Sequence, residues 1–301
     1  MSQAQSLRAL LAQNRFVMAA GAYDVISARL VEEAGFPIVY YSGGVSAGAL
    51  GYPDFGLRTL TEMVMQLEGV CRAVSTPVIA DAEAGFGSVL NTVRTVLDFE
   101  RVGVAGLHLE DQDAPRRCGH LGGKVLVSAK EHAAKIRAAT ENRTNADTVI
   151  IARIDAIAVN GLDDAITRAE TYLEAGADML FFEAFESVKQ MEKVCSRFAA
   201  RTLLLVNMVE GGKTPFLPAR DLEDLGFKVA IYPVSAVLAA SFQMRKALRT
   251  LRETGTTQGV WHEMLPFSEV FNSLLGWDQA LSFIDHYSDK KENEPKRRKS
   301  G

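Results

Sequence analysis

The chain has 301 residues, 48% of them hydrophobic and 23% charged, with a formal net charge of −4. That composition excludes a disordered or collagen-like chain, and the lack of a broad basic field argues against nucleic acid as a partner. No run approaches the roughly eighteen apolar residues of a membrane span. Three cysteines, Cys71, Cys118 and Cys195, are too few and too odd in number for a disulfide framework, which points to a reducing, cytoplasmic setting.

The first run, MSQAQSLRALLAQNRF, lacks the continuous apolar core of a secretory signal. Arg8, Arg15 and the absence of acid before Asp24 would suit an organelle-matrix transit segment, whereas Leu7, Leu10 and Leu11 suit an amphipathic first helix. From there, short runs rich in Val, Ile, Leu and Phe alternate with stretches of helical spacing. The expected strands are 17–22, 37–41, 77–81, 105–110, 148–153, 179–183, 202–207 and 229–232. The expected helices are 25–34, 60–74, 91–102, 130–139, 162–175, 188–197, 219–225 and a long 234–253. Glu33-Ala34-Gly35-Phe36 and Glu174-Ala175-Gly176-Ala177 each end a helix on a glycine, which enters the left-handed capping conformation without a Cβ penalty.

Eight strands alternating with helices predict a parallel sheet, and eight is the number that closes an α/β barrel of the (β/α)8 TIM type. An open doubly wound sheet is the alternative, weakened because no G-x-G-x-x-G follows the first strand. The expected organisation is a barrel with its N-terminal helix at 1–255, a helical appendage at 256–288 and a disordered charged tail at 289–301. In the appendage, 261–275 and 277–286 read as two short helices. Their apolar set (Trp261, Leu265, Phe267, Phe271, Leu274 and Trp277) would pack on its own barrel or on another subunit. The tail, DKKENEPKRRKSG, reads as a solvated charge run, with a nuclear-import or anionic-surface signal as the alternative.

Barrels of this kind carry their chemistry on the loops after the strands. Asp81 and Glu83 follow the third strand, Glu110 and Asp111 the fourth, Arg153 and Asp155 the fifth; Glu183 ends the sixth and Asn207 the seventh. One polar residue there is an ordinary turn or cap, but five successive strands so loaded predict a convergent ring. Asp81, Glu83 and Glu110 would crowd like charges unless a cation offsets them. Oxygen ligands favour a hard ion such as Mg²⁺, and no histidine pair has zinc-ligand spacing with a cysteine. Arg153 supplies a planar fork for a substrate carboxylate.

The loop 111–127, DQDAPRRCGHLGGKVLV, contains Gly119, Gly122 and Gly123, as a closing flap would. Its Cys118 follows Arg116 and Arg117 and precedes His120, so an exposed, reactive thiol with a lowered pKa is expected. Cys71 and Cys195, in helices, read as inert. Ser42-Gly43-Gly44, after the second strand, offers amides to an anionic oxygen, and Asp54 and Thr214-Pro215 are weaker candidates.

RRCGH, together with YYSGG, DAEAGFG, LHLEDQ, ARIDA and NMVEGGKTP in this order, resembles the isocitrate lyase/PEP mutase superfamily. The likeness covers about residues 15 to 275 and is greatest to the 2-methylisocitrate lyase and 2,3-dimethylmalate lyase branch. It implies a (β/α)8 barrel in a homotetramer, with the last helix swapped between subunits and Mg²⁺ (Mn²⁺ as a substitute) bound. Asp81 and, through water, Glu83 and Glu110 would hold the ion, with Asp54 close by. Tyr41, Ser42, Gly43, Gly44, Gly119, His120, Arg153, Glu183 and Asn207 would bind substrate. Cys118 would be the general acid, with Arg153, Glu183 and His120 beside it in catalysis.

The implied activity is a retro-aldol cleavage of a 2-hydroxy di- or tricarboxylate to an α-keto acid such as pyruvate plus a carboxylate such as succinate. The alternatives are an oxaloacetate hydrolase or decarboxylase, a phosphonate-branch enzyme, and a non-catalytic dicarboxylate-binding barrel. Phosphonate mutases lack the Cys-Gly-His loop, and the hydrolases tend to have serine where this chain has Pro233. The chain departs from the superfamily at Glu83, where Asp is usual and an extra methylene pushes the carboxylate outward. It departs again at Ile154, where Thr is usual and a β-branched apolar group is expected at the mouth.

Overall fold

Runs of four to six residues with alternating inward and outward side chains set the architecture. In a computed structural model, which describes residues 1–288, eight strands form a closed parallel barrel in sequence order. They are β1 (Val17–Ala22), β2 (Ile38–Tyr41), β3 (Val78–Asp81), β4 (Gly106–Glu110), β5 (Val149–Ile154), β6 (Met179–Phe182), β7 (Leu203–Asn207) and β8 (Val229–Tyr232). Val17 faces Val229 where β8 closes on β1, and Glu110 faces Arg153 between β4 and β5. The charged run at 289–301 lies outside the described residues.

The helices are α1 (Gln3–Ala12), α2 (Val25–Glu33), α3 (Gly43–Ala49), α4 (Leu60–Ala73), α5 (Val89–Arg101) and α6 (Ala129–Asn142). They continue with α7 (Ile157–Asn160), α8 (Leu162–Glu174), α9 (Val188–Phe198), α10 (Ala219–Leu225), α11 (Ser235–Thr254) and α12 (Trp277–Tyr287). Side chains of Asp24, Thr59, Ser128 and Ser187 accept from amides three residues on, capping α2, α4, α6 and α9 at about 1 kcal/mol each. Gly35 and Gly176 do take positive φ, 81° and 99°, where the repeated Glu-Ala-Gly ends α2 and α8.

Alternation divides the core in two. Val17, Ala19, Ile38, Ile79, Val149, Ile151, Met179, Leu205, Val229 and Ile231 fill the lumen, and Leu7, Leu10 and Leu11 of α1 join them. Val39, Tyr41, Ala80, Leu107, Ile150, Ile154, Phe182 and Val206 face outward into the layer under the helices. The leucines at 7, 10 and 11 thus belong to an amphipathic first helix that is part of the barrel.

Two short helices, α3 and α7, lie beyond the expected ones. The expected helix at 261–275 is instead a 3-10 turn, Gln258–Glu263, and a π-helical turn, Glu269–Leu274. Pro266 stands between them and has no N–H to continue a helix. The described chain divides into a unit Met1–Phe242 and a second unit that begins at Gln243, inside α11. Within the second unit Lys246 Nζ meets Glu263 Oε1 at 2.5 Å, and Val260 and Leu274 are buried. Trp261, Phe267, Phe271 and Trp277 stay exposed in the single chain. Among the described residues no helix is long and apolar enough to cross a membrane.

Candidate active site

The parity that sends Ile79 and Ile151 into the lumen also sends every second residue above them to its upper mouth. On that parity stand Tyr40 and Ser42 at β2, Asp81 and Glu83 at β3, His108 and Glu110 at β4, Arg153 and Asp155 at β5, Phe181 and Glu183 at β6, and Asn207 at β7. Asp81, Glu83, His108, Glu110, Arg153, Asp155, Glu183 and Asn207 are all buried.

The lower storey is aromatic. The Tyr40 hydroxyl lies 2.8 Å from His108 Nε2. The His108 and Phe181 rings meet edge to face at 5.4 Å, and the Arg153 guanidinium stands 5.3 Å above Phe181. Burial drives the His108 pKa down to about 4, so the imidazole is neutral at physiological pH and does not offset Asp81, 3.7 Å away.

The upper storey is a chain of ion pairs. Arg153 binds Asp155 through Nε (2.9 Å) and Nη2 (3.2 Å), and approaches Glu110 and Glu183 at 3.4 Å each. Arg116 binds Glu110 with two nitrogens and Asp54 with a third. Arg58 meets Glu83 at 3.2 Å, and Lys124 meets Asp155 Oδ1 at 3.1 Å. Burial pushes Asp81 up, but Arg116, Arg153 and the donated Glu83 N–H hold the carboxyl below its ordinary range. Burial pushes Glu83 and Glu110 above the usual carboxylate range despite their arginines. Arg153 and His120 keep Glu183 ionised, near 2, against its burial.

The loop 111–127 is closed over this mouth. Its ends pair through Gln112 and Leu126, with Asp113 N donating to Val125 O (2.8 Å) and Val127 N to Asp111 O (3.0 Å). Lys213 N–H donates to His120 Nδ1 (3.0 Å), so Nε2 carries the proton and donates to Glu183 Oε1 at 3.1 Å. Asn207 Nδ2 donates to Glu183 Oε2 at 3.0 Å. Gly119 sits so close to Glu183 and Arg153 that a Cβ would collide with both.

A family model described as phosphoenolpyruvate phosphomutase matches residues 7–252. The chain belongs to the phosphoenolpyruvate phosphomutase family. It is 42% identical to the 2,3-dimethylmalate lyase of Eubacterium barkeri over 289 residues, 96% of this chain and 99% of that one. A probable 2-methylisocitrate lyase of Corynebacterium glutamicum is 43% identical over 279 residues, 93% of this chain and 90% of the relative. Among solved structures, oxaloacetate acetylhydrolase with 3,3-difluorooxalacetate superposes with a TM-score of 0.89 at 33% identity, covering 95% of this chain and 97% of that one.

Within this phosphoenolpyruvate phosphomutase-family barrel, Ser42, Gly43, Gly44, Asp81, Glu110, Gly119, His120, Arg153, Glu183 and Asn207 lie on one mouth or on the flap that closes it. A Cβ on Gly43 would strike the Asp81 carboxylate, and one on Gly44 the Asp54 carboxylate; the glycines let both acids reach the start of α3. Tyr41 is a correction. Its ring belongs to the outer core, fully buried among strands and helices, and Tyr40 faces the lumen in its place. Ile154 is another: it points into the same outer layer, away from the mouth.

Cys118 is half-buried rather than exposed, and its thiol is raised above the ordinary 9.0, chiefly by burial. The flanking arginines do not lower it, because Arg116 serves Glu110 and Asp54 while Arg117 stands over Phe55, 5.8 Å from the ring centre. Cys71 and Cys195 are raised further by burial, to about 12 each. Composition and spacing did not single out Arg58, His108 or Lys124; strand parity could have found His108, but Arg58 and Lys124 sit on loops.

Among the described residues no three or more His, Cys, Asp or Glu groups converge closely enough to hold an ion by themselves. The donor set nonetheless fits a hard divalent cation. Asp81, Glu83 and Glu110 stand at the ends of neighbouring strands with Asp54 across from them, joined through Arg116 to Glu110, and an all-oxygen set of this kind suits such an ion.

Proposed function

We propose that the protein is a Mg²⁺-dependent carbon–carbon lyase that cleaves a 2-hydroxy di- or tricarboxylate of the 2-methylisocitrate or 2,3-dimethylmalate type. The products are an α-keto acid such as pyruvate and a carboxylate such as succinate. The observation that carries the reading is the Cys118 thiol on a flap closed over Arg153, Glu183 and Asn207 at the mouth of the barrel. Identity above 40% to lyases of both types over nearly the whole chain supports it.

Asp81, whose carboxyl is held below its ordinary range, would hold Mg²⁺, with Glu83, Glu110 and Asp54 around it. Bound there, the ion would acidify the substrate's 2-hydroxyl and offset the charge of its carboxylate. Ser42, Gly43 and Gly44 bind the α-keto acid portion, and Arg153 forks onto a carboxylate. As the 2-hydroxyl passes its proton to a water at the mouth, the bond between the carbinol carbon and the neighbouring carbon breaks. Its electron pair stays on the carbon next to the departing carboxylate, and Cys118 Sγ–H protonates that carbon. A thiol pKa above 9.0 suits a donor that must be loaded at neutral pH. Glu183, held near 2, is a weak base and instead orients His120 and Asn207. Closure of the flap keeps water from the carbanion.

The protein is also proposed to be cytoplasmic, with three unpaired cysteines, and tetrameric, with its exposed C-terminal aromatics covered by a neighbouring subunit. The decisive experiment offers the protein, with Mg²⁺, 2-methylisocitrate, 2,3-dimethylmalate and oxaloacetate in turn, reading pyruvate by a coupled assay and oxalate and acetate directly. Turnover of a branched hydroxy acid is expected. Oxaloacetate hydrolysis alone would favour the activity named for the superposed hydrolase, and tight α-keto acid binding without any product would leave a non-catalytic barrel.

A further inference from the structure

Of the four buried cations at the mouth (Arg58, Arg116, Lys124 and Arg153), the flap brings two. Arg116 reaches Asp54 and Glu110, and Lys124 reaches Asp155. Lys124 is the less expected: it lies near the end of the flap, six residues beyond the reactive thiol, yet its side chain is 1% exposed. A lysine is almost never so buried unless it is paired.

Its Nζ makes two contacts. One is with the carbonyl of Gly119, within the flap and next to Cys118; the other is with Asp155 Oδ1, at 3.1 Å. Asp155 is a fixed point of the barrel. Its amide donates to Asp111 Oδ1 at 2.8 Å, and its Oδ2 accepts from Arg153 Nε at 2.9 Å. A single ammonium therefore ties the thiol-bearing turn to the carboxylate that orients the substrate arginine. When the flap lifts, Lys124 must leave Asp155.

We propose that Lys124 is the latch of the flap: by bridging Gly119 and Asp155 it holds Cys118 over the site, and so acts as a positioning residue for the proton transfer. The catalytic half of this inference rests on the lyase reading; the latch itself does not. Arg116 does not duplicate this contact, because its guanidinium is taken up by Asp54 and Glu110.

The test uses the full-length protein with Lys124→Met, which keeps the length of the side chain and removes the ammonium, and Lys124→Arg, which keeps the charge. Opening is read without substrate, as hydrogen exchange in 114–123 and as native-state trypsin cleavage after Arg116 and Arg117. With Lys124→Met both should quicken about tenfold, because a buried pair has been broken, while exchange in β6 and β7 stays at the wild-type rate. Lys124→Arg should recover most of the protection. With substrate, Lys124→Met should lower kcat by more than it raises KM. Wild-type protection of the flap in Lys124→Met overturns the latch. Faster exchange in β6 and β7 as well also overturns it, since Lys124 would then be a general stabilising residue. If the flap loosens as expected but the wild-type protein turns over nothing, the latch stands and the lyase reading falls.

Discussion

The two ends of the barrel lumen are built by one alternation and filled with opposite materials. Below, Val17, Ile38, Ile79, Val149, Ile151, Leu205 and Ile231 pack against one another and against α1. Above, the last inward positions of β3 to β7, at or just beyond the strand ends, carry Asp81, Glu110, Arg153, Glu183 and Asn207. The lower layer gains free energy from burial alone. The upper one gains little, because desolvating paired charges consumes most of their attraction. A rigid apolar floor therefore allows a costly charged mouth to keep its geometry, and changes at the two ends should fail in different ways.

The largest effect is expected at the mouth, on rate and not on folding. Cys118→Ser should reduce turnover by about 10²- to 10⁴-fold, the usual worth of a positioned general acid, with Tm and pyruvate binding near wild type. The pH profile sharpens the assignment. The donor works only while protonated, and burial raises its pKa above the ordinary 9.0, so the wild-type rate should hold through neutrality and fall only above pH 9. Near-normal turnover in Cys118→Ser, or a thiol-dependent fall below pH 8, would remove the acid role.

At the floor the order reverses. Ile151→Ala, in the fully buried lumen layer, should cost about 2–5 kcal/mol through lost transfer energy and the cavity left behind, read as a lowered urea midpoint. The folded fraction should keep its kcat. Glu110→Gln is the contrasting change at the mouth. It relieves a carboxyl that burial already pushes upward, so stability should stay within about 1 kcal/mol of wild type or rise while Mg²⁺-supported turnover falls. If Glu110→Gln unfolded the protein as readily as Ile151→Ala, the division between floor and mouth would be wrong.

Much of this is legible in the sequence because the strand period is local. The eight runs, their order and the polar residues that follow them depend on neighbours a few positions away, and helix caps such as Thr59 and Ser128 are read the same way. What fails is whatever depends on a partner far along the chain. Adjacency in sequence makes Arg116 a neighbour that activates Cys118, yet its guanidinium is spent on Glu110 and on Asp54, 62 positions away. Two tyrosines in a row, Tyr40 and Tyr41, differ only in parity, and the residue next to the serine is the one facing away. Nothing near Lys124 in sequence shows the carboxylate of Asp155 beneath it.

The smallest effect tests that parity most directly. Ile154 stands where the superfamily usually has threonine, and a side chain at the mouth there would touch substrate. Its carbonyl accepts from Glu183 N–H at 3.0 Å, which fixes the end of β5 against β6, while the side chain lies in the outer layer with Ile150, Ala152 and Phe182. Ile154→Thr should therefore leave kcat and KM within about twofold and cost about 1–3 kcal/mol of stability, the penalty of placing a hydroxyl in an apolar layer. A gain of tenfold or more in kcat/KM, with no loss of Tm, would mean that position 154 reaches the substrate after all, and that the inward set at β5 is not the one headed by Arg153.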